Sequence, residues 1–430
     1  MATAVETPRI HSLPTESSPM AALSLADLAS QIESVAASTP DTHANDVDRK
    51  RLLSACDQLR KKLETPFEFT LRTVFAGYPA IALRLGIDMK IFDAVAQHIE
   101  SSGEKTITLS QLAEMTKADP LLVSRVMRFL SALGIFKEVE QDVYASTPVA
   151  AGYVSSSPLS AAVIHVTHFS MVLTQLPAYF HEKGWQNPNN VLDGPFQFAT
   201  KTKSHYFDFL SGEPYYQQAF NTVMTISHRR QGKNWFDFFP VEEKLGGVTS
   251  DSDVVLVDVG GSQGGDIIAF QKQFPSVKGR LVLQDLPIVI EAIKDGELPA
   301  GIEAQGYDFF DPQPVKGAKA YYLRTVLHDW PDEQARQILA RVREAMAPDS
   351  LLLINETLLP ESGIALSSAQ ADLTMMVSFA SLERTKAQFE QLLNDSGFEL
   401  VKVWMPEGFT ASSAELASQA TLLEARLKSS

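Results

Sequence analysis

Three side chains in this sequence have the types and placement to share a proton: His328, Glu356 and Glu383. His328 follows the apolar run Ala320-Tyr321-Tyr322-Leu323 and Arg324. Glu356 follows Leu351-Leu352-Leu353-Ile354 and Asn355, and Glu383 begins Glu383-Arg384-Thr385 just before a helical pattern. Ligands of an open α/β sheet gather beyond the carboxyl ends of its strands, so all three are expected at one edge. An imidazole flanked by carboxylates is a base held in a chosen tautomer. Each residue alone also has an ordinary structural reading. A histidine before a helix caps or packs, Glu356 ends a strand, and Glu383 is a favourable charge at a helix start. Their convergence is the signal.

That edge carries a second feature. Val254-Val255-Leu256-Val257 reads as a strand covered on both faces. Asp258 closes it, and Gly260-Gly261-Ser262-Gln263-Gly264-Gly265 turns the chain into Ile267-Ile268-Ala269-Phe270. Small residues let a ligand approach the backbone, and a helix start offers unpaired N–H groups. A second strand, Leu281-Val282-Leu283, ends on Asp285, which is placed to accept ribose hydroxyls. The dinucleotide fingerprint G-x-G-x-x-G does not fit the turn.

The elements that must position these residues follow from alternation. Strands are predicted at Val254–Val257, Leu281–Leu283, Ala320–Leu323, Leu351–Ile354 and Glu399–Val403. Helices are predicted at Gly265–Phe274, Asp332–Met346 and Lys386–Asp395, which together give an α/β fold with a doubly wound parallel sheet. Ala420–Leu427 fits an antiparallel edge strand or a helix. Upstream, residues 1–46 form a Ser-, Thr-, Pro- and Ala-rich tail whose first part is expected to be disordered, with Leu25, Leu28, Ile32 and Val35 at helical spacing. Residues 47–155 carry apolar stripes at Leu52–Leu63 and Ile81–Val95, with Pro66 breaking the pattern. Helix, turn, helix and hairpin then follow in the winged-helix order, ending with Ile135-Phe136 and Val143-Tyr144. Arg125 and Arg128 lie on the would-be recognition helix. That helix is mostly apolar and Glu100, Glu104, Glu114, Glu138 and Glu140 surround it, so the module reads as structural or dimerising. Residues 156–240 form a helical, aromatic-rich connector suited to an aromatic ligand, and residues 241–430 the sheet domain.

Composition narrows the classes. A net charge of −15 over 430 residues argues against a nucleic-acid partner. One cysteine, Cys56, excludes an intramolecular disulfide and fits a reducing compartment. No apolar run reaches the ~20 residues a membrane helix needs, and the start lacks a signal peptide's pattern. The chain is therefore expected to be soluble and cytoplasmic, away from membranes. No metal-ligand spacing is present, and no metal is expected.

At this point the residues resemble a family. Asp258-Val-Gly260-Gly-Ser-Gln-Gly264 is similar to D-x-G-x-G-x-G, the first motif of S-adenosylmethionine-dependent methyltransferases, with Ser262 in the middle glycine's place. Asp285-Leu-Pro287, Asp308-Phe-Phe, Leu327-His328-Asp-Trp330, Asn355-Glu356 and Glu383-Arg-Thr385 follow in the order of plant and fungal small-molecule O-methyltransferases of the caffeic-acid type. The resemblance is strongest to fungal members acting on polyketides. It implies a Rossmann-like S-adenosylmethionine domain behind an N-terminal winged-helix dimerisation domain, and a homodimer. It implies His328 as the base with Glu356 and Glu383 flanking it. Asp258, Gly260, Gly261, Gly264, Asp285 and Leu286 would hold the cofactor, with Asp308 and Phe309 on its adenine side and Arg324 where the family often has a lysine. Phe220 and Met224, of an F-N-x-x-M stretch, would line the ring of a small aromatic acceptor, with Trp330 and Met376.

The implied reaction is methylation of a phenolic hydroxyl, since a phenol with a pKa of about 10 needs a base at neutral pH. Two rivals stand beside it. Some fungal proteins of this fold use the pocket for dehydration or pericyclic steps, and a winged-helix regulator could merely sense a metabolite. His328 and both glutamates favour methylation over the first; acidic charge and the intact site disfavour the second.

Overall fold

The computed structural model describes residues 24–38, 46–229, 234–248, 250–294, 296–406 and 421–428. The tail expected to be disordered lies, up to residue 23, outside them. The chain divides into two compact units, Met1–Phe75 and Ala76–Ser430. That division falls inside the segment 47–155 that the sequence reads as one module.

The first unit contains the helices Leu25–Ser38, Asp46–Leu63 and Pro66–Val74. Pro66 does more than break a pattern, because it opens the third helix at N1. Thr65 Oγ1 accepts the Glu68 N–H at 3.3 Å while the Glu68 carboxylate accepts the Thr65 N–H at 2.9 Å, a reciprocal cap. Leu52, Leu53, Leu63, Phe67 and Phe69 remain exposed.

The second unit starts with the winged-helix module. The apolar stripe Ile81–Val95 is carried by two helices, Gly77–Asp88 and Ile91–Ser102, because Lys90 turns left-handed between them with φ 59°. Helices Leu109–Thr116 and Pro120–Ala132 follow, capped by Thr108 and Asp119. Strands β1 (Thr106–Thr108), β2 (Phe136–Glu140) and β3 (Val143–Ser146) pair antiparallel in the order β1-β3-β2. Leu112, Val123, Met127, Leu130, Phe92 and Phe136 make the core.

The connector is helical, as its pattern requires. Pro158–His168 and Ser170–Glu182 meet at Phe169, and Pro195–Thr200, Tyr206–Ser211 and Pro214–Arg229 follow. One sequence expectation needs correcting here. Pro158–Glu182 is long and apolar enough, by length and composition alone, to cross a membrane. The run spans two helices, which is why no single uninterrupted stretch stands out in the sequence. Its first half packs against Pro214–Arg229.

The sheet that positions the site has seven strands. They are β4 (Val254–Val259), β5 (Arg280–Asp285), β6 (Ile302–Gly306), β7 (Ala320–Arg324), β8 (Leu351–Glu356), β11 (Phe398–Trp404) and β12 (Thr421–Leu427). Their order is β11-β12-β8-β7-β4-β5-β6. The pairs from β6 to β8 are parallel, and β12 runs antiparallel to both β8 and β11. The chain winds outward from β4 in one direction and from β7 in the other, so the crevice of the sheet opens between these two strands. Every residue of β4 is buried, as its branched apolar run demands.

Three strand readings change. Asp258 does not end β4, which continues through Val259. The last run is a strand, but an interior one: β11 covers its far side and is the edge. On the opposite edge β6 has no apolar run to announce it, because only Ile302 of its five residues is buried. A two-residue parallel pair, β9 (Leu358–Leu359) with β10 (Arg384–Thr385), ties the chain after β8 to the start of helix Lys386–Asp395. It brings Glu383 and Arg384 beside the end of β8.

Candidate active site

The glycine turn after β4 is fastened to β5. Gly260 and Gly261 both donate their N–H to Gln284 O, at 2.8 and 3.0 Å. Gly260, Ser262 and Gly264 take φ values of 73°, 53° and 80°, a region that favours glycine. A Cβ on Gly261 would lie 2.5 Å from Leu283 Cδ1 and 2.6 Å from Asp258 Oδ2. A Cβ on Gly260 would lie 2.9 Å from Val326 Cγ2. Ser262 therefore keeps the backbone shape expected of a glycine, and its N–H donates to Asp285 Oδ2 at 2.8 Å. Leu286 N–H donates to the other oxygen, Oδ1, at 2.8 Å. Burial raises the Asp285 pKa, and these two N–H groups oppose the rise.

Asp258 is buried beneath the turn, and its Oδ2 has no partner. Burial pushes its carboxyl well above the usual range, Asp266 adds to the rise, and Arg324 counters it. Arg324, at the end of β7, pairs with Asp266 in the first turn of helix Gly265–Gln273 and leaves its Nε unpaired. Tyr322 Oη donates to Asp266 Oδ2 at 2.8 Å. Asp266 was not singled out in the sequence; its place one residue into the helix after the glycines is the signal that could have found it. Asp308 Oδ1 caps Phe310 N–H at 3.0 Å. The Phe309 ring lies 3.9 Å from where a Gly260 Cβ would be and edge-on to Trp330, 5.9 Å between centroids. Asp258, Gly260, Gly261, Gly264, Asp285, Leu286, Phe309 and Arg324 thus lie around one turn, with Asp308 next to Phe309 in the chain.

His328 sits on the three-residue turn Leu327–Asp329 that follows β7. Its Nδ1 is 3.0 Å from Glu383 Oε1 and 3.8 Å from Glu356 Oε2, and its Nε2 is 3.5 Å from Asp329 Oδ1. Glu356 is fully buried at the end of β8, where Oε1 accepts the N–H of Val326 at 3.0 Å and of Leu327 at 2.9 Å. Oε2 of Glu356 and Oε2 of Glu383 are buried without hydrogen-bond partners. Burial lowers the imidazole pKa, but Glu356, Asp329 and Glu383 outweigh it and hold His328 well above its ordinary value. Burial also lifts Asp329 to about 7 and raises Glu356, against the pull of His328. The ligand atoms of His328, Glu356 and Glu383 lie within 4.8 Å of one another, close enough to hold a cation. The hydrogen bond between Nδ1 and Glu383 accounts for that convergence by itself. It fixes the neutral ring with its proton on Nδ1 and its lone pair on Nε2.

The expected acceptor residues fall on two sides of an aromatic cluster. Phe220 and Met376 join Phe207, Tyr206 and Phe379. Trp330 packs against the sheet core and joins that group through His205, on which it stacks at 5.1 Å between centroids and 6° and which stacks in turn on Phe379 at 5.9 Å. Met224 is half-buried one helical turn beyond Phe220. Several lining residues escaped the sequence reading. His165 packs edge-on against Phe220 at 5.6 Å, and burial drives both His165 and His168 down to about 4, so both are neutral at pH 7. Two histidines, four residues and one residue before Phe169 on a mostly apolar helix, are the available hint.

Comparison with known proteins follows this geometry. The O-methyltransferase domain family matches residues 207–399, and the O-methyltransferase dimerisation domain family matches residues 75–156. The O-methyltransferase mfmE of Annulohypoxylon moriforme is 36% identical over 369 residues, covering 85% of this chain and 89% of that protein. Demethylsterigmatocystin 6-O-methyltransferase of Aspergillus parasiticus is 31% identical over 359 residues, covering 83% and 90%. Among solved structures, one described as a pericyclic reaction enzyme superposes with a TM-score of 0.76 at 27% identity, covering 94% of this chain and 99% of that one. LepI in complex with SAM gives the same TM-score and identity, covering 94% and 98%.

Proposed function

The chain belongs to the O-methyltransferase family, and from that premise we propose that it methylates a phenolic hydroxyl of an aromatic secondary metabolite with His328 as general base. The observation that carries this reading is the 3.0 Å contact between His328 Nδ1 and Glu383 Oε1, one strand away from the glycine turn.

S-adenosylmethionine is the family's cofactor, and the turn is suited to it. No side chain fits at Gly260 or Gly261, where a Cβ would meet Val326 or Leu283, so the turn keeps a bare backbone, and Asp258 Oδ2 and Arg324 Nε are buried polar atoms awaiting partners. Asp285 would take the ribose hydroxyls, Phe309 would flank the adenine, and Asp258 and Arg324 would meet the polar end. When bound, S-adenosylmethionine supplies a sulfonium methyl group to the acceptor oxygen.

The chain's own residues do the rest. Phe220, Phe207, Phe379 and Met376 offer an apolar wall for an aromatic ring, and neutral His165 adds no charge to it. Nε2 of His328 takes the phenolic proton as the oxygen attacks. Glu383 and Glu356 then stabilise the imidazolium, the role of a triad's third member. Holding the oxygen in place supplies much of the remaining gain. The acceptor is a small aromatic molecule, of the polyketide class by its resemblance to fungal relatives.

A second reading keeps the pocket and drops methyl transfer, in favour of a dehydration or pericyclic step. The likeness to the pericyclic reaction enzyme motivates it. Assays with aromatic polyketide phenols separate the two. S-adenosylhomocysteine formed in proportion to product supports methylation, and product formed without it supports the rival.

A homodimer built by the first ~150 residues completes the proposal. Leu52, Leu53, Ile81 and Leu85 are exposed on helices whose apolar stripes call for a cover.

A further inference from the structure

The turn that carries His328 has little of its own to hold it. It is three residues long and no side chain of the turn caps it. Glu356 Oε1 holds its start through the N–H groups of Val326 and Leu327, and the other side chains that fix it come from a separate segment, residues 381–384. Ser381 Oγ donates to the carbonyl of His328 itself. Glu383 takes the ring through Nδ1. Arg384, 1% exposed, donates from Nη1 to Leu327 O at 2.8 Å and from Nη2 to Trp330 O at 2.8 Å. One planar fork thus fixes the backbone carbonyls on both sides of the histidine. The remaining donors, Nε and Nη2, reach Asp332 Oδ1 at 3.1 and 2.8 Å.

We propose that Arg384 is a positioning residue for the base, setting the turn at Leu327 and Trp330 so that His328 Nδ1 meets Glu383. The proposal rests on His328 acting as base, and it assigns a role to a residue that touches neither cofactor nor acceptor. Simple packing does not explain the arrangement. A guanidinium buried against Phe389, at 5.8 Å, needs its charge satisfied, and the fork spends two of its donors on the carbonyls bracketing His328. The same cation opposes the burial of Glu356 and so favours its ionised form. Loosening the fork lets the turn drift from both carboxylates. The imidazolium loses support, and His328 titrates lower.

The test uses the full chain labelled with ¹³C in its histidines and a magnetic-resonance titration of the His328 ring, assigned by its loss in His328→Gln. Arg384→Lys keeps the charge and loses the fork. It is expected to lower the His328 titration by about one pH unit, with S-adenosylmethionine affinity within about two-fold of the parent. Asp332→Asn alters a side chain that is 54% exposed and frees one side of the guanidinium, giving a smaller shift in the same direction. In methylation assays kcat falls in both variants while the acceptor KM changes little. His328 titrating as in the parent in every variant that folds overturns the proposal. If Arg384→Lys does not fold, Asp332→Asn decides. The titration needs no turnover, so a protein that forms no S-adenosylhomocysteine would sink the methyl-transfer reading and leave this measurement able to judge Arg384.

Discussion

Nδ1 of His328 and Oε1 of Glu383 meet at 3.0 Å across 55 residues of chain. The contact spends Nδ1 on Glu383, while Nε2 lies 3.5 Å from Asp329 Oδ1. It also makes the imidazole harder to deprotonate than a free one, because two glutamates and Asp329 favour its cation.

Replacement of the base should separate chemistry from binding. His328→Gln is expected to keep the fold and cofactor affinity and to lower turnover by roughly 10²–10⁴-fold. Acidic phenols should recover part of the rate at high pH, where solvent supplies the phenolate. A variant as fast as the parent at neutral pH removes His328 from the mechanism and leaves the fold untouched.

The pH profile follows from the direction of the shift. Only the neutral imidazole accepts a proton, and its pKa in the free protein lies well above 6.5. The acid limb of kcat/KM, which reports the free enzyme, should therefore fall above pH 6.5, with activity gained as pH rises through it. Glu383→Gln removes one of the raising charges and should move the limb to lower pH while reducing the plateau. A parent limb at or below 6.5 contradicts the assignment.

Cofactor binding should depend on Asp285, whose two oxygens already hold the turn through Ser262 and Leu286. Asp285→Ala is expected to weaken S-adenosylmethionine by about 1–3 kcal/mol. Calorimetric titration reads the change directly, and an unaltered Kd rules the contact out.

The oligomeric state is testable without substrate. Light scattering should report a dimer at micromolar concentration, in line with the exposed Leu52, Leu53, Ile81 and Leu85. A fully active monomer would speak decisively against the proposed assembly.

How far the sequence reaches depends on what kind of residue carries the signal. β4, β5, β7 and β8 were legible because burial on both faces demands unbroken apolar runs. The ends of those runs place Asp258, Asp285, Arg324, His328 and Glu356 at one edge. β6 was not legible: four of its five residues are not buried, so no pattern selects it. The final strand is ambiguous because Thr421–Leu427 is short and places Glu424 and Arg426 among its apolar residues, so neither period stands out. Asp266 and His165 were missed for another reason. Each is one polar residue in a helix, and its meaning comes only from Arg324 or Phe220, distant in sequence and adjacent in space.

The two-residue bridge between Leu358–Leu359 and Arg384–Thr385 has a consequence for how the protein could change. It pins both ends of an excursion that leaves Glu356, runs through helix Leu366–Phe379 and returns at Glu383. Within that excursion lie Met375, Met376 and Phe379, which belong to the aromatic cluster. Part of the aromatic cluster is thus a cassette, closed by a clasp whose own residues stand next to His328, Glu356 and Glu383. Substitutions inside the cassette can retune which ring is accommodated while the clasp keeps the two glutamates in register. Acceptor choice and proton transfer can therefore diverge at different rates, and a library confined to residues 366–379 is where a change of substrate should be sought first.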